Sequence, residues 1–203
     1  MDIGRGPFVT LDGLSASGKT TIAPLVAALL NGVHLTDEVL PSFPRMRAEV
    51  DATGILSARF HWWMMANHVK SESARALSQS GRPVVVDSYF PRTIATHRAM
   101  GHDCSPEYPN GAFVPDVAVL LEVDERVRQE RIRQRAEQGT LSYWHQREEP
   151  NVAESSRVYR AFGLVRVDGT GRTPQEVARA IVDIVRPQVP RSRLERSTHH
   201  DRN

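Results

Sequence analysis

The stretch GLSASGKT, residues 13–20, has the spacing of a phosphate-binding loop. In such a loop the backbone N–H groups cradle an oligophosphate, the lysine reaches its outer phosphates, and the threonine hydroxyl binds Mg²⁺. A glycine-rich turn with a solvated lysine is the alternative interpretation. The residues predicted to bind the nucleotide are Gly13, Ser15, Ala16, Ser17, Gly18, Lys19, Thr20 and Thr21.

The segments around this loop favour phosphate binding. Residues 7–11, PFVTL, are typical of a buried strand, and residues 22–30 are apolar and helix-forming. This order places the loop amides at the positive end of a helix dipole. Lys19 and Lys70 are the only lysines among 26 Lys and Arg residues, so we interpret the lysine in the motif as functional.

Asp87 is a second candidate, because it directly follows the valines at 84–86 that predict a buried strand. Open α/β sheets bind their ligands at the carboxyl ends of their strands. The carboxylate is therefore predicted to bind Mg²⁺ and to serve the transfer site. Capping a following helix is the alternative.

Arg131 and Arg135 lie in ERIRQR, residues 130–135, just before a polar segment at about 137–151 that we interpret as a lid. Arginines at the base of a lid can neutralise charge on a phosphoryl group in transfer. Both are therefore predicted to be catalytic. Ion pairs with nearby glutamates at helical spacing are the alternative.

Residues 36–47, TDEVLPSFPRMR, and the helical stretch RFHWWMMANH, residues 59–68, are predicted to face the acceptor. An acceptor phosphate requires an arginine, and a free hydroxyl requires a carboxylate as base. The aromatic and Met residues would form an apolar slot for a ring, with core packing as the alternative. The candidates on this side are Asp37, Glu38, Phe43, Arg45, Arg47, Trp62, Trp63, Met64, Met65 and His68.

Short apolar runs alternate with longer amphipathic ones along the chain, which predicts an α/β fold with a parallel sheet covered by helices. We predict about five strands, near residues 7–11, 33–35, 82–87, 116–123 and 164–167. The final helix is predicted to have Thr173 as its cap and Pro174 at its first position. Residues 1–187 would form one domain, followed by a basic, disordered tail at 188–203.

Composition limits the classes of protein that remain. A chain of 203 residues with 40% apolar content predicts one globular domain, without the roughly 20-residue apolar run of a membrane span. The lack of an apolar signal segment and the single cysteine, Cys104, predict a cytoplasmic protein. The pI of about 9.0 comes from the end of the chain, where from Arg186 onward five arginines oppose Glu195 and Asp201, so nucleic acid is not predicted as a partner.

The chain resembles the thymidylate kinase family of P-loop nucleoside and nucleotide monophosphate kinases. The resemblance extends to about residue 185 and depends on segments 11–21, 42–45, 64–93, 115–135 and 165–181. It implies a three-layer P-loop kinase fold with a lid, ATP and Mg²⁺ as cofactors, and a homodimer. By this likeness Arg45 would meet the acceptor phosphate, Asp87 would serve the metal, and Arg131 and Arg135 would act from the lid.

The chain also departs from that family at several positions. The family arginine after the strand-ending aspartate is Ser88, with Arg92 as the nearest substitute. The base-recognising arginine is replaced by His68, the stacking aromatic by Met64, and the sugar-contacting tyrosine by Thr96. These departures leave open whether the chain recognises thymine.

Together these patterns predict a Mg-ATP-dependent phosphotransferase whose acceptor is a small molecule, a nucleoside monophosphate or related nucleotide. Two alternatives remain. One is a kinase of a free hydroxyl on a deoxynucleoside or other small molecule, with Asp37 or Glu38 as base. The other is a non-catalytic nucleotide-binding regulator.

Overall fold

The structure is a computed structural model that describes residues 4–37, 40–140 and 143–186. The predicted basic tail at 188–203 and the candidate Glu38 lie outside the described residues. In the described part of the chain, no helix has the length and apolar character that crossing a membrane requires.

The described strands form one parallel sheet with the order β2-β3-β1-β4-β5. They are β1 (Phe8–Asp12), β2 (Val33–Leu35), β3 (Val84–Asp87), β4 (Val117–Glu122) and β5 (Val165–Asp168). The predicted five-stranded α/β fold is confirmed. Leu11 pairs with Asp87 and Asp12 with Leu120, so the carboxyl ends of β3, β1 and β4 meet at one edge of the sheet.

Eight α-helices are described: α1 (Lys19–Leu29), α2 (Phe43–Ala52), α3 (Leu56–Gln79), α4 (Phe90–Ala99), α5 (Glu125–Glu137), α6 (Tyr143–Glu148), α7 (Val152–Ala161) and α8 (Pro174–Val185). A short 3₁₀ helix, Glu149–Asn151, joins α6 to α7. Helix α2 was not predicted by the sequence pattern. It begins in a segment with Pro44 in its first turn, where proline is tolerated, and its Arg45–Glu49 and Arg47–Asp51 pairs have i,i+4 spacing.

The helices cover both faces of the sheet. On one face, Val9, Leu11 and Val119 pack against α1 and α8. On the other, Phe8 and Val86 pack against α3, α4 and α7. The predicted cap of α8 is confirmed: Thr173 accepts from the Glu176 amide at 3.3 Å, and Glu176 accepts from the Thr173 amide at 2.7 Å. These two layers fix the sheet edge at which the motif residues converge.

Candidate active site

The loop between β1 and α1 bends sharply at its two glycines. Gly13 has φ +146° and Gly18 has φ +105°, and Ala16 between them also has a positive φ of 65°. The Ser17 amide donates to the Leu14 carbonyl at 3.3 Å, which closes a turn inside the loop. The bend follows a buried strand and leads into a helix, as the motif predicts.

Gly13→Ala is expected to destabilise the protein by about 1–3 kcal/mol and to weaken ATP binding. A Cβ at Gly13 would lie 2.4 Å from the Leu121 carbonyl oxygen, on backbone that cannot move without shifting β4. Thermal unfolding and an ATP titration would measure both effects. Gly54→Ala is the matched control, because Gly54 also has a positive φ, +67°, but its Cβ would meet nothing within 4 Å. Equal losses in the two variants would contradict this account.

Lys19 begins α1 and is buried with its ammonium against the loop. Its Nζ donates to the carbonyls of Gly13 at 2.9 Å and Leu14 at 2.8 Å, and to Ser17 Oγ at 3.4 Å. Burial, and after it the charge of Arg92, lowers the pKa of Lys19 to about 7, against the pull of nearby carboxylates. An anion in the loop would favour the charged form of this ammonium and so oppose the effect of burial on its pKa.

Asp12, at the end of β1, was not among the predicted site residues. It is fully buried, and its Oδ1 accepts from the amides of Tyr89 and Arg92 at 3.0 Å each, at the beginning of α4. Its Oδ2 has no hydrogen-bond partner among the described residues. Burial raises the pKa of this carboxyl, while the two amides and the lysines oppose the shift. Its position directly before Gly13 was the signal that could have identified it.

The residues present fit a Mg²⁺ ion. Thr20 is exposed in the first turn of α1, and Asp12 offers its unpartnered oxygen. Asp87 is buried at the end of β3, where its Oδ1 lies 3.2 Å from His34 Nε2. Asp87 does not cap α4, whose cap residue is Tyr89. A hydroxyl and carboxylate oxygens are the hard ligands that Mg²⁺ prefers beside substrate phosphates.

A cavity of about 270 Å³ opens beside the loop and runs between α3 and α4. Its walls come from the loop, the end of β2, four helices and the base of the predicted lid. The lining residues are Ser15, Ala16, Gly18, Lys19, Thr20, Thr21, Asp37, Arg47, Arg59, Trp63, Asn67, Lys70, Ser88, Arg92, Thr93, Thr96, His97 and Arg135. The structure thus brings most of the predicted loop residues together with Asp37, Trp63, Arg92 and Arg135.

Arg45, predicted to meet the acceptor phosphate, does not line this cavity. Its side chain is 86% exposed and its Nε donates to Glu49 at 2.9 Å. The physical reason is helix rotation, because two residues along α2 turn a side chain by about 200°. Arg47 therefore faces the cavity instead, with its guanidinium 5.3 Å from the centre of the Trp63 ring.

Five other acceptor candidates do not line the cavity: Phe43, Trp62, Met64, Met65 and His68. Phe43 is buried against Trp62, with ring centres 4.2 Å apart, so these two rings serve the core. Met64 packs against the cluster between the sheet and α4. His68 is exposed, with its ring 5.1 Å from that of Phe90. Core packing, the alternative interpretation of this stretch, thus describes Phe43, Trp62 and Met64.

The deep wall of the cavity is polar and contains residues that sequence reasoning missed. Arg59 donates to Asp51 at 2.9 Å, and its Nη1 lies 2.9 Å from His97 Nε2. Burial, followed by the Arg59 charge, lowers the pKa of His97 to about 3, so the imidazole is neutral. Asn67 donates to Thr93 Oγ1 at 2.8 Å. Nothing in the sequence pattern distinguished these side chains from core.

Arg92, the nearest substitute for the family arginine absent at Ser88, is held by α6, which lies in the segment predicted to be a lid. Its guanidinium donates to both carboxylate oxygens of Glu148 in α6 and to Ser15 Oγ at 2.8 Å. Burial alone would lower the pKa of Arg92, but the Glu148 carboxylate reverses this and raises it. Glu148 is only 2% exposed. Arg92 therefore connects the loop with α6, and its charge is already neutralised.

The arginines of α5 divide into two groups. Arg128 pairs with Glu125 and Glu149, and Arg133 with Glu130 and Glu137, as the ion-pair alternative predicts. Arg131 instead donates from Nη1 to the Ala16 carbonyl at 3.0 Å. Arg135 lines the cavity. Arg131 thus contacts the phosphate loop, and Arg135 faces the cavity beside it.

Fold and site together define a P-loop kinase: a parallel sheet with this strand order, a phosphate loop after β1, and an arginine of α5 that contacts this loop. A family model described as an AAA domain matches residues 8–154. The chain belongs to the AAA-domain family of P-loop proteins and to the thymidylate kinase-like kinases, which confirms the resemblance.

Individual relatives agree with this assignment. A probable thymidylate kinase of Methanococcus vannielii is 26% identical over 90% of this chain and 97% of its own. One of Pyrococcus horikoshii is 31% identical over 68% of this chain and 74% of its own. The solved thymidylate kinase of Candida albicans matches the fold with a TM-score of 0.66 at 18% identity, covering 90% of this chain and 92% of that one.

Proposed function

We propose that this kinase transfers the γ-phosphoryl group of Mg-ATP to a nucleoside monophosphate or a related nucleotide. The observation that carries the proposal is that the phosphate loop and a cavity with arginines on several walls form one continuous hollow. A donor triphosphate in the loop would point its terminal phosphate into the space where the acceptor fits. The relatives named thymidylate kinase support the same class of reaction.

Each part of the hollow has a role in this proposal. The loop amides and Lys19 bind the donor phosphates, and Arg131 and Arg135 neutralise charge on the transferred group. Thr20 with Asp12 and Asp87 would hold Mg²⁺, which would supply positive charge to stabilise the donor phosphates. Burial of Lys19 and Asp12 lowers the local dielectric response, which strengthens these interactions.

An acceptor panel tests the proposal. Purified protein would be assayed for ADP release with Mg-ATP and a set of nucleoside monophosphates, alongside the corresponding nucleosides. We expect turnover with at least one monophosphate and little with its nucleoside. Turnover of nucleosides alone would instead support a kinase of a free hydroxyl. Asp37 in the cavity wall is the candidate base for that reaction. ATP binding without transfer to any acceptor would support the regulator.

Arg47→Ala is expected to raise the KM of the acceptor about tenfold and to change the KM of ATP little. Arg47 lies in the acceptor part of the cavity, where an arginine can make a charge-assisted contact with an anionic group. Steady-state kinetics with each substrate varied in turn would measure both constants. Arg45→Ala is the matched control on the same helix, because Arg45 is exposed to solvent. A larger effect at Arg45 than at Arg47 would contradict this assignment.

A further inference from the structure

Lys70 is the second of the two lysines in the sequence, and it is 1% exposed on α3. It lines the same cavity as Lys19. Elsewhere the chain uses arginine for its basic side chains, including those of its surface ion pairs. Both lysines are thus placed where a compact ammonium adjoins the candidate active site, a chemistry that arginine does not reproduce.

The Lys70 ammonium lies between the ends of two strands. Its Nζ donates to Asp37 Oδ1 at 2.7 Å, just beyond β2, and to the Ser88 carbonyl at 2.5 Å, just beyond β3. Ser88 has φ 71°, an uncommon conformation for a non-glycine residue. An ammonium has three donors, and among the described residues only these two acceptors are found for Lys70. One donor is therefore available to a ligand.

Two other cations of the cavity, Arg92 and Arg59, are more fully engaged. Arg92 is neutralised by the buried Glu148, and Arg59 is held by Asp51 and His97. The partner of Lys70, in contrast, is a carboxylate whose side chain is 35% exposed. A ligand anion could replace that carboxylate without leaving a buried, unpaired charge, because the freed Asp37 side chain can turn to water.

Lys70 and the loop lysine Lys19 line the same cavity from different elements. Lys19 approaches from the donor loop and Lys70 from α3, on the acceptor side. Ser88, whose small side chain also lines the cavity, stands where the resemblance places an arginine, and this leaves room beside Lys70.

We propose that Lys70 binds the phosphate of the acceptor. The Asp37 carboxylate pairs with the Lys70 ammonium until this phosphate displaces the carboxylate. The inference rests on the proposed function, since it requires a phosphorylated acceptor. Lys70 then replaces the missing arginine at 88, whereas Arg92 holds α6. Lysine is suited to this place because its ammonium binds phosphate as a point charge with rotatable donors.

The first test is Lys70→Met, assayed with the monophosphate that the wild-type protein turns over best. We expect the acceptor KM to rise at least tenfold and the KM of ATP to stay within about twofold. Calorimetry with a non-hydrolysable ATP analogue should show the same loss in binding of the monophosphate. Arg75→Met is the matched control, because it removes a cation from the same helix outside the cavity. An unchanged acceptor KM, or equal changes for ATP and acceptor, would overturn the inference.

Asp37→Asn is the second variant, and it keeps the test decisive if Lys70→Met does not fold. The amide still accepts a hydrogen bond from Lys70 but no longer competes as a charge. We expect the monophosphate to bind several-fold more tightly, and an unchanged or weaker affinity would overturn the displacement. A wild-type protein that phosphorylates no monophosphate would overturn the proposed function itself. A wild-type protein that is active on a monophosphate, with variants that bind this acceptor as the wild type does, would overturn only the role of Lys70.

Discussion

Lys19→Ala is expected to lower kcat by about 10²–10³-fold, the usual loss when one preorganised electrostatic contact to the reacting group is removed. Lys19 is buried, and its ammonium lies against the loop carbonyls that would adjoin the donor phosphates. Alanine leaves no other lysine nearby except Lys70, on the acceptor side. Initial rates of ADP release with the best acceptor of the panel would measure the change.

Arg133→Ala serves as the control for that variant. Arg133 is an exposed cation on α5 that pairs with Glu130 and Glu137 and does not line the cavity. Its loss should leave kcat within about twofold, since exposed pairs contribute little. A Lys19→Ala protein with near-native rates would refute the assignment of the phosphate loop. So would calorimetry of the wild-type protein that showed no heat from ATP with Mg²⁺.

Arg92→Met is expected to cost about 3–5 kcal/mol of the free energy of unfolding, because it removes the guanidinium that donates to both oxygens of the buried Glu148 carboxylate. Glu148 is 2% exposed, so water cannot easily solvate it. The same carboxylate also lies 3.4 Å from the hydroxyls of Thr96 and Ser155, which only partly compensate. Urea unfolding followed by circular dichroism would give the free energy.

The double variant Arg92→Met with Glu148→Gln isolates the ion pair. Removing both charges should recover most of the stability, because a neutral amide is cheaper to bury than a lone carboxylate. Arg166→Met is the control for an exposed pair with Glu122, with an expected loss of about 0–1 kcal/mol. Equal losses for Arg92 and Arg166, or a double variant less stable than Arg92→Met, would show that Arg92 does not neutralise a buried charge.

Local patterns in the sequence predicted the scaffold well. The five strands are short runs rich in β-branched and apolar residues, and each was found within two residues of its predicted position. The phosphate loop could be predicted because its chemistry depends on glycine spacing along a single segment. The cap of α8 depends likewise on residues three apart, Thr173 and Glu176.

Helix α2 and the hydrogen bonds of Asp12 could not be predicted in the same way. Residues 43–52 have no strong apolar face, and only Phe43 is buried, so the periodic signal was weak. Polar residues often end buried strands, and Asp12 is one of them. Its importance depends on the amides of Tyr89 and Arg92, which are remote in sequence.

The sequence by itself determined the fold class, the phosphate loop and the kinase family, because these depend on residues close together along the chain. Only the tertiary structure decided which side chains face the acceptor. Trp62 and Trp63 are neighbours, yet one packs in the core with Phe43 and the other lines the cavity. The two side chains point about 100° apart around α3. This difference decides their burial only because α2 packs against one side of that helix. Arg45 and Arg47 are divided for the same reason, since burial depends on the rotation of each helix against its neighbours.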